Sequence, residues 1–184
     1  MRAGVFFGER FEEVEALTVV DFLKRAGMDV EMVSVSSSHH VRGSHGIEIK
    51  TEFTVDEIRI GTLDAIILPG GPGFGNLEKC DRLMKYVKKF PAEDKFVAAI
   101  CAAPSILGRA GLLEGKKATC FPGYEGELKG ACYTAEEAVI DGKIITGRSA
   151  GCAVPFSIAI VKAMLGDEAA KKLADNVIYD HFKG

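Results

Sequence analysis

Short, continuously apolar segments alternate along this chain with segments whose apolar residues recur at helical spacing. Because the links between them are short, consecutive apolar segments are expected to lie parallel in one sheet that crossover helices cover. The predicted strands span residues 3–7, 29–35, 64–68, 95–100, 117–121, 138–140 and 144–146, and the predicted helices span residues 12–26, 77–90, 103–110, 153–165 and 168–176. This order predicts an α/β fold, a flavodoxin-like three-layer α/β/α sandwich with a mostly parallel central sheet.

The segment between residues 36 and 60 has a weaker pattern. Residues 36–46 are polar and predict a loop, residues 47–53 alternate apolar and polar side chains as a half-exposed strand does, and residues 55–60 have room for one helical turn. We therefore expect an excursion from the main sheet in this part of the chain.

Composition limits the class of protein. With 184 residues, of which 47% are hydrophobic, the chain is long enough to bury a core, and we expect one domain over residues 1–184. A net charge of −3 without a basic cluster argues against nucleic acid or membrane as a partner. The five cysteines are odd in number and unpaired in spacing, and the sequence has neither a signal peptide nor an apolar run of membrane-spanning length. We therefore expect a soluble, cytoplasmic protein.

One cysteine has the setting of a nucleophile. Cys101 ends a wholly apolar predicted strand and is followed at once by a predicted helix, so it lies at a strand-to-helix elbow. Unpaired N–H groups and the helix dipole favour a thiolate there, which predicts a pKa below the ordinary value of about 8.5. Ala99, Ala102 and Ala103 leave space for a tight turn and a substrate, and the Ala102 N–H is placed to face an oxyanion. The alternative is a small buried hydrophobic residue, but the elbow favours the nucleophile.

A glycine-rich turn follows the predicted strand at residues 64–68. Gly70 and Gly71 offer backbone N–H groups without side-chain obstruction, so we expect them to form the other half of an oxyanion hole if this turn lies beside Cys101. The turn matches neither the dinucleotide-binding pattern G-x-G-x-x-G nor a phosphate-binding loop that ends in Gly-Lys-Ser/Thr. The sequence therefore predicts no cofactor.

Several short motifs occur in order through the chain. They are Glu12-Glu13-Val14-Glu15-Ala16-Leu17, Arg25-Ala26-Gly27, Leu68-Pro69-Gly70-Gly71, Ala98-Ala99-Ile100-Cys101-Ala102-Ala103-Pro104, Thr119-Cys120-Phe121-Pro122 and Ala159-Ile160-Val161. Together they resemble the ThiJ/PfpI superfamily, and within it the DJ-one branch, over essentially the whole chain. The resemblance implies the class I glutamine amidotransferase-like form of the flavodoxin-like fold.

The resemblance also implies catalytic roles. It implies that Cys101 is the elbow nucleophile, that Glu15 is the acid that contacts its sulfur, and that Gly71 and Ala102 supply oxyanion donors. A protonated, semi-buried Glu15 has the chemistry to donate a hydrogen bond to a thiolate, and to stabilise the sulfenate or sulfinate that oxidation produces. From the residues alone, the alternative is that Glu15 is one of several acids that favour a helix N-terminus.

The sequence departs from the family near the elbow. Proteolytic relatives have a histidine directly after the nucleophile, where this chain has Ala102, and some members have a histidine at the position of Phe121. Without a local general base, peptidase activity is disfavoured. The histidines are interpreted as surface residues, and no second cluster completes a ligand set around the three in the loop, so no metal is expected. They are His39, His40, His45 and His181.

Two residues are assigned to a possible pocket beside the elbow. Arg148 matches a family arginine and has the chemistry to hold an anion or an oxidised sulfur, although a solvated loop arginine is the alternative. Phe121 is the other pocket residue. Cys120 and Cys152 are possible second thiols, without an assigned role.

The resemblance implies a cysteine-dependent protein of oxidative and carbonyl stress. The first hypothesis is a cofactor-independent glyoxalase or deglycase, in which Cys101 attacks a small methylglyoxal-type aldehyde or a glycated substrate. The alternative is a non-enzymatic redox sensor or redox-regulated chaperone that uses oxidation of Cys101. The resemblance also implies a homodimer, formed by the first helix near residues 21–25.

Overall fold

The structure, a computed structural model, describes residues 1–181. The strands are β1 (Arg2–Phe7), β2 (Asp29–Ser34), β3 (His40–Arg42), β4 (Glu48–Lys50), β5 (Phe53–Thr54), β6 (Ala65–Leu68), β7 (Phe96–Ile100), β8 (Lys117–Ala118), β9 (Cys132–Tyr133), β10 (Ala138–Asp141) and β11 (Ile144–Gly147). The helices are α1 (Glu13–Arg25), α2 (Gly75–Glu78), α3 (Asp81–Lys89), α4 (Pro104–Arg109), α5 (Ala153–Leu165) and α6 (Asp167–Asn176).

The central sheet has seven strands in the order β10-β11-β7-β6-β1-β2-β5. All neighbours are parallel except β10 and β11, which are antiparallel. The order of the five longer parallel strands is the flavodoxin-like order, in which ligands bind beyond the carboxyl ends of the strands where the strand order reverses. The predicted fold class is confirmed. The reversal of strand order lies between β1 and β6. A ligand site is therefore expected in the loops that follow β1, β6 and β7.

Each face of the sheet buries its own apolar core. Along β7, Ala98 and Ile100 belong to the cluster beneath α1, α5 and α6, while Val97 and Ala99 belong to the cluster beneath α3 and α4. Successive strand residues point to opposite faces, so a sheet covered on both sides requires continuously apolar strands. This requirement explains the apolar runs in the sequence.

The region between β2 and β6 differs from the prediction. Residues 36–46 contain β3, which pairs with β4 as an antiparallel hairpin, and the strand predicted at residues 47–53 is divided between β4 and β5. The division falls at Thr51, whose Oγ1 donates to the carbonyls of His39 at 3.1 Å and Phe53 at 3.0 Å. The helical turn predicted at residues 55–60 is instead a 3₁₀ turn at Ile60–Thr62.

Two other predicted elements are shorter than expected. The helix predicted at residues 77–90 is broken at Cys80, whose backbone is extended, so that α2 and α3 are separate. The strand predicted at residues 117–121 ends at Ala118 as β8, which pairs with β9 in a small sheet that was not predicted. Within residues 1–181, no helix is both long and apolar enough to cross a membrane.

Candidate active site

Cys101 occupies a sharp turn directly after β7. Its φ of +66° is in the left-handed region, which is rare for any residue other than glycine and costs about 1–3 kcal/mol. Two neighbouring segments hold this conformation, because the Cys101 N–H donates to the Gly147 carbonyl at 3.0 Å and the Phe121 N–H donates to the Cys101 carbonyl at 2.8 Å. The predicted elbow is therefore present, and the thiol is only partly buried.

Glu15 reaches the same place from the first turn of α1. Its backbone N–H is capped by the Glu12 carboxylate at 2.8 Å, and its own side chain extends to the ends of β6 and β7. Glu15 is 1% exposed, and its Oε2 accepts a hydrogen bond from the Gly70 N–H at 2.9 Å. Its Oε1 is buried without a hydrogen-bond partner at ordinary geometry among the described residues.

Gly70 allows the three segments to meet. A Cβ atom on this residue would lie 2.7 Å from both the Cys101 Cβ and the Glu15 Oε2, so no other residue type fits without displacing them. Because its N–H is bound to Glu15, the prediction that Gly70 binds an oxyanion is wrong for this structure. Gly70 instead positions the acid.

The oxyanion donors expected at Gly71 and Ala102 face the sulfur. Both backbone N–H groups interact with the Cys101 thiol and favour its deprotonation. Gly71 has a φ of +97°, and a Cβ there would collide with the Glu12 backbone, so the turn requires glycine. An oxygen atom carried on the sulfur would meet the same two donors.

Burial raises the pKa of both titratable groups, and the charge of Glu15 also opposes the ionisation of Cys101. Burial raises the pKa of Glu15 to about 7, against hydrogen bonding from Cys101 and Gly70 that lowers it. Burial, followed by the negative charge of Glu15, raises the pKa of the Cys101 thiol to about 12, and the two N–H donors do not outweigh these effects. The prediction of a lowered thiol pKa from the elbow alone is therefore wrong, because it omitted burial and the carboxylate.

The pair nevertheless offers a route to a thiolate. Since the groups interact strongly, they lose protons as a unit, the first near pH 7 and the second near pH 12. Between these values one proton remains, mainly on the sulfur, and the minor form with the proton on Glu15 carries a thiolate beside two N–H donors. Glu15 is thus placed to hold the proton that Cys101 must release.

The two predicted pocket residues have different positions. Phe121 is held against the elbow by its backbone hydrogen bond to Cys101, and its side chain is 43% exposed. Arg148 donates to the Ala135 carbonyl at 3.2 Å, and its positive charge favours ionisation of the Cys120 thiol. Burial raises the pKa of that fully buried thiol to about 11. Cys152 contacts Ser149 at 3.7 Å.

The histidines contact different residues, away from Cys101. His39 approaches Glu57 at 3.2 Å, His40 approaches Glu48 at 3.2 Å, and His181 packs against the Tyr179 ring. Within residues 1–181, no imidazole is hydrogen-bonded to Cys101. His45 differs from the others, because it contacts α1 two residues from Glu15, a placement that the sequence analysis missed.

One cluster of side chains brings together atoms of the types that bind metal ions. Atoms of Glu12, Glu13 and His45 lie within 4.8 Å of one another. The Glu13 carboxylate is, however, already satisfied by Ser44 Oγ at 3.0 Å, His45 N at 2.7 Å and His45 Nδ1 at 2.9 Å. We therefore describe the cluster as a hydrogen-bonded network.

A separate groove of about 600 Å³ lies between β10, α5 and the segment after α6. Val139, Ile158 and Tyr179 are among its lining residues, and none of the predicted site residues is. The candidate site is therefore defined by the elbow chemistry and not by the size of a cavity.

The fold and the site together define an α/β protein with a cysteine elbow and a buried partner carboxyl. Comparison with known families agrees, since the model of the DJ-1/PfpI family matches residues 1–163. The chain belongs to this family.

Named relatives are moderately similar. DJ-1 homolog B of Arabidopsis thaliana is 41% identical over 91% of this chain and 39% of its own length, so this chain spans about two fifths of it. A protein named deglycase from Pyrococcus abyssi is 30% identical, over 82% of this chain and 92% of its own length. Glutathione-independent glyoxalase DJR-1.2 of Caenorhabditis elegans is 29% identical, over 90% of this chain and 89% of its own length.

Solved structures share the fold over nearly the whole chain. The oxidised DJ-1 of Toxoplasma gondii superimposes with a TM-score of 0.93 and 30% identity, over 98% of this chain and 99% of that one.

Proposed function

We propose that this protein is a cofactor-independent glyoxalase or deglycase that acts on methylglyoxal-type aldehydes through Cys101. The observation that carries the proposal is the meeting of Cys101 with a buried Glu15 whose pKa is raised to about 7. A group that titrates near neutral pH exchanges protons in both directions, as a general acid–base requires.

The chemistry follows from the contacts of the sulfur. The Cys101 thiolate adds to the aldehyde carbon and forms a hemithioacetal, whose oxygen is held by the N–H groups of Gly71 and Ala102. Glu15 gives the proton that it holds to this oxygen, and its carboxylate then removes the proton from the former aldehyde carbon and delivers it to the neighbouring carbon. The hydroxyl proton passes to the neighbouring oxygen, which converts the adduct to a thioester. Water then hydrolyses the thioester to the hydroxy acid and restores the thiol.

Two further points support this assignment. Relatives of known name include a deglycase and a glyoxalase, at identities of 30% and 29%. The described histidines pair with other residues, so the arrangement does not resemble the Cys-His pair of a peptidase.

The test is the conversion of methylglyoxal to lactate. We expect Cys101→Ser to abolish turnover, because a serine hydroxyl in this setting keeps its proton at neutral pH. Cys152→Ser is the matched control and should retain turnover. Lactate formation by Cys101→Ser at the wild-type rate would exclude the mechanism.

A second candidate, a sensor in which Cys101 is oxidised to the sulfinate, is favoured by one observation. The Gly71 and Ala102 N–H groups that face the sulfur are also suited to hold sulfinate oxygens. Mass spectrometry after graded peroxide treatment tests it, and addition of two oxygens at Cys101 before the other four cysteines is expected. Equal oxidation of the exposed Cys132 would exclude it.

A further inference from the structure

We propose that His45 is a positioning residue for the Cys101–Glu15 pair, acting through the carboxylates of Glu12 and Glu13 to set the pH at which Cys101 becomes reactive. The inference concerns the site of the proposed function, and it rests on that function only in taking Cys101 as the reacting group.

The hairpin of β3 and β4 is attached to the start of α1. The Arg10 N–H donates to the Arg42 carbonyl at 2.7 Å, and the Ser44 N–H donates to the Phe11 carbonyl at 2.8 Å. Gly43 permits the close approach, because a Cβ there would collide with the Glu13 carboxylate. His45, at the tip of the hairpin, is therefore fixed beside the first turn of the helix.

The Glu13 carboxylate binds this tip. Glu13 is 5% exposed, and its two oxygens accept hydrogen bonds from Ser44 Oγ, the His45 backbone N–H and His45 Nδ1. Burial opposes its ionisation, but the combined hydrogen bonds lower the pKa of Glu13 to about 2. The same carboxylate raises the pKa of His45, so the imidazole retains its proton at a higher pH than an ordinary histidine.

Glu12 connects this cation to the catalytic pair. Glu12 Oε1 lies 3.9 Å from His45 Nδ1, and Glu12 Oε2 accepts the Glu15 N–H at 2.8 Å. The negative charge of Glu12 contributes to the raised pKa of Glu15. A protonated His45 therefore partly neutralises the Glu12 carboxylate, whose charge acts on Glu15.

His45 is the basic residue placed to neutralise Glu12 and Glu13, because the nearby arginines do not pair with them. On the hairpin, Arg42 lies 3.8 Å from Glu48, and its backbone N–H is bound by Glu9 at 3.4 Å. Arg10, in the loop before α1, forms no ion pair with Glu12 or Glu13. Within residues 1–181, His45 is the cation that pairs with these two carboxylates.

The sign of the effect follows from Coulomb's law. Removing the positive charge makes the surroundings of Glu15 and Cys101 more negative, and both groups then hold their protons to a higher pH. An exposed charge that acts partly through water is expected to move the midpoint by about 0.3–0.5 pH unit. Below the midpoint, this shift lowers the Cys101 reaction rate about two- to threefold.

The experiment measures alkylation of Cys101 by iodoacetamide between pH 5 and 9, with the modified peptide quantified by mass spectrometry. We expect a midpoint near pH 7 in the wild type, a higher midpoint in His45→Gln, and recovery in His45→Lys, which retains the charge. His40→Gln is the matched control. It also removes an imidazole from this hairpin, but that imidazole pairs with Glu48 and not with Glu12 or Glu13. The His45→Gln shift should shrink in 1 M salt.

Coinciding profiles for wild type and His45→Gln would overturn the proposal, as would equal shifts in His45→Gln and His40→Gln. A His45→Lys profile that matches His45→Gln would also overturn it, because the effect would then not arise from charge. The readout requires no aldehyde turnover. A shifted midpoint without lactate formation would therefore reject the proposed glyoxalase alone, and lactate formation with an unshifted midpoint would reject the His45 inference alone.

Discussion

Glu13 and Glu15 lie two residues apart on the first turn of α1, both are buried, and their pKa values shift in opposite directions. Glu13 faces the hairpin and its pKa is lowered to about 2, whereas Glu15 faces the strand ends and its pKa is raised to about 7. Their exposures, 5% and 1%, are nearly equal, but Glu15 lies deeper in the protein, and desolvation there raises its pKa.

The number of hydrogen-bond donors adds to the difference in the two pKa values. Glu13 receives three side-chain or backbone donors from residues 44 and 45, whereas Glu15 receives one backbone donor, from Gly70, beside its contact with the Cys101 thiol. A buried carboxylate needs such donors to remain ionised. Glu13 therefore contributes to attachment of the hairpin, and Glu15 keeps a proton available for chemistry. Three experiments separate these roles.

The largest expected effect is on turnover. We expect Glu15→Gln to lower methylglyoxal turnover by about 10²- to 10⁴-fold, because the amide cannot transfer the proton. Glu13→Gln is the matched control, and its loss should stay below tenfold. The ratio of the two rate constants measures the contrast, and similar losses would show that both glutamates serve the same purpose.

The next effect is on stability, and its dependence on pH is opposite to that of a carboxylate whose pKa is lowered, such as Glu13. A rise in the Glu15 pKa from 4.5 to about 7 corresponds to about 3 kcal/mol. Because the folded state binds this proton more tightly, the free energy of unfolding falls as pH rises from 4.5 to 7. Glu15→Gln should therefore unfold at higher urea concentration than wild type at pH 8, and at nearly the same concentration at pH 4. A less stable variant at pH 8 would contradict this account.

The smallest effect concerns Glu13. Its lowered pKa means that its contribution to stability is complete above pH 4.5 and is lost as pH falls towards 2. We expect Glu13→Gln to destabilise the protein by about 2 kcal/mol at pH 7, since the amide keeps only part of the charge-assisted hydrogen bonding. Urea unfolding at pH 7 and pH 2.5 checks this, and the difference from wild type should diminish at the lower pH.

The fold was predictable because its cause is local. Strand segments buried on both faces must be apolar along their whole length, and this rule located β1, β6 and β7. The elbow at Cys101 followed from the same argument, since Cys101 is the first of the three residues between β7 and α4.

The rest of the site depends on contacts between distant parts of the chain. The Glu13–His45 pairing joins residues 32 positions apart, and the Gly70–Glu15 hydrogen bond joins residues 55 positions apart. No local pattern reports such distances, so the contact of the exposed His45 with Glu13 was missed, and Gly70 was predicted to be an oxyanion donor. The thiol pKa was mispredicted for the same reason, because a helix terminus is visible in sequence and an opposing carboxylate is not.

The left-handed backbone at residue 101 limits which nucleophiles this site is able to accommodate. A second branch at Cβ restricts side-chain rotation and adds steric conflict where φ is positive, so threonine is a poor replacement even though it has a hydroxyl. Cysteine and serine have one heavy atom on Cβ and fit the turn. The geometry thus selects by side-chain shape before chemical reactivity is considered.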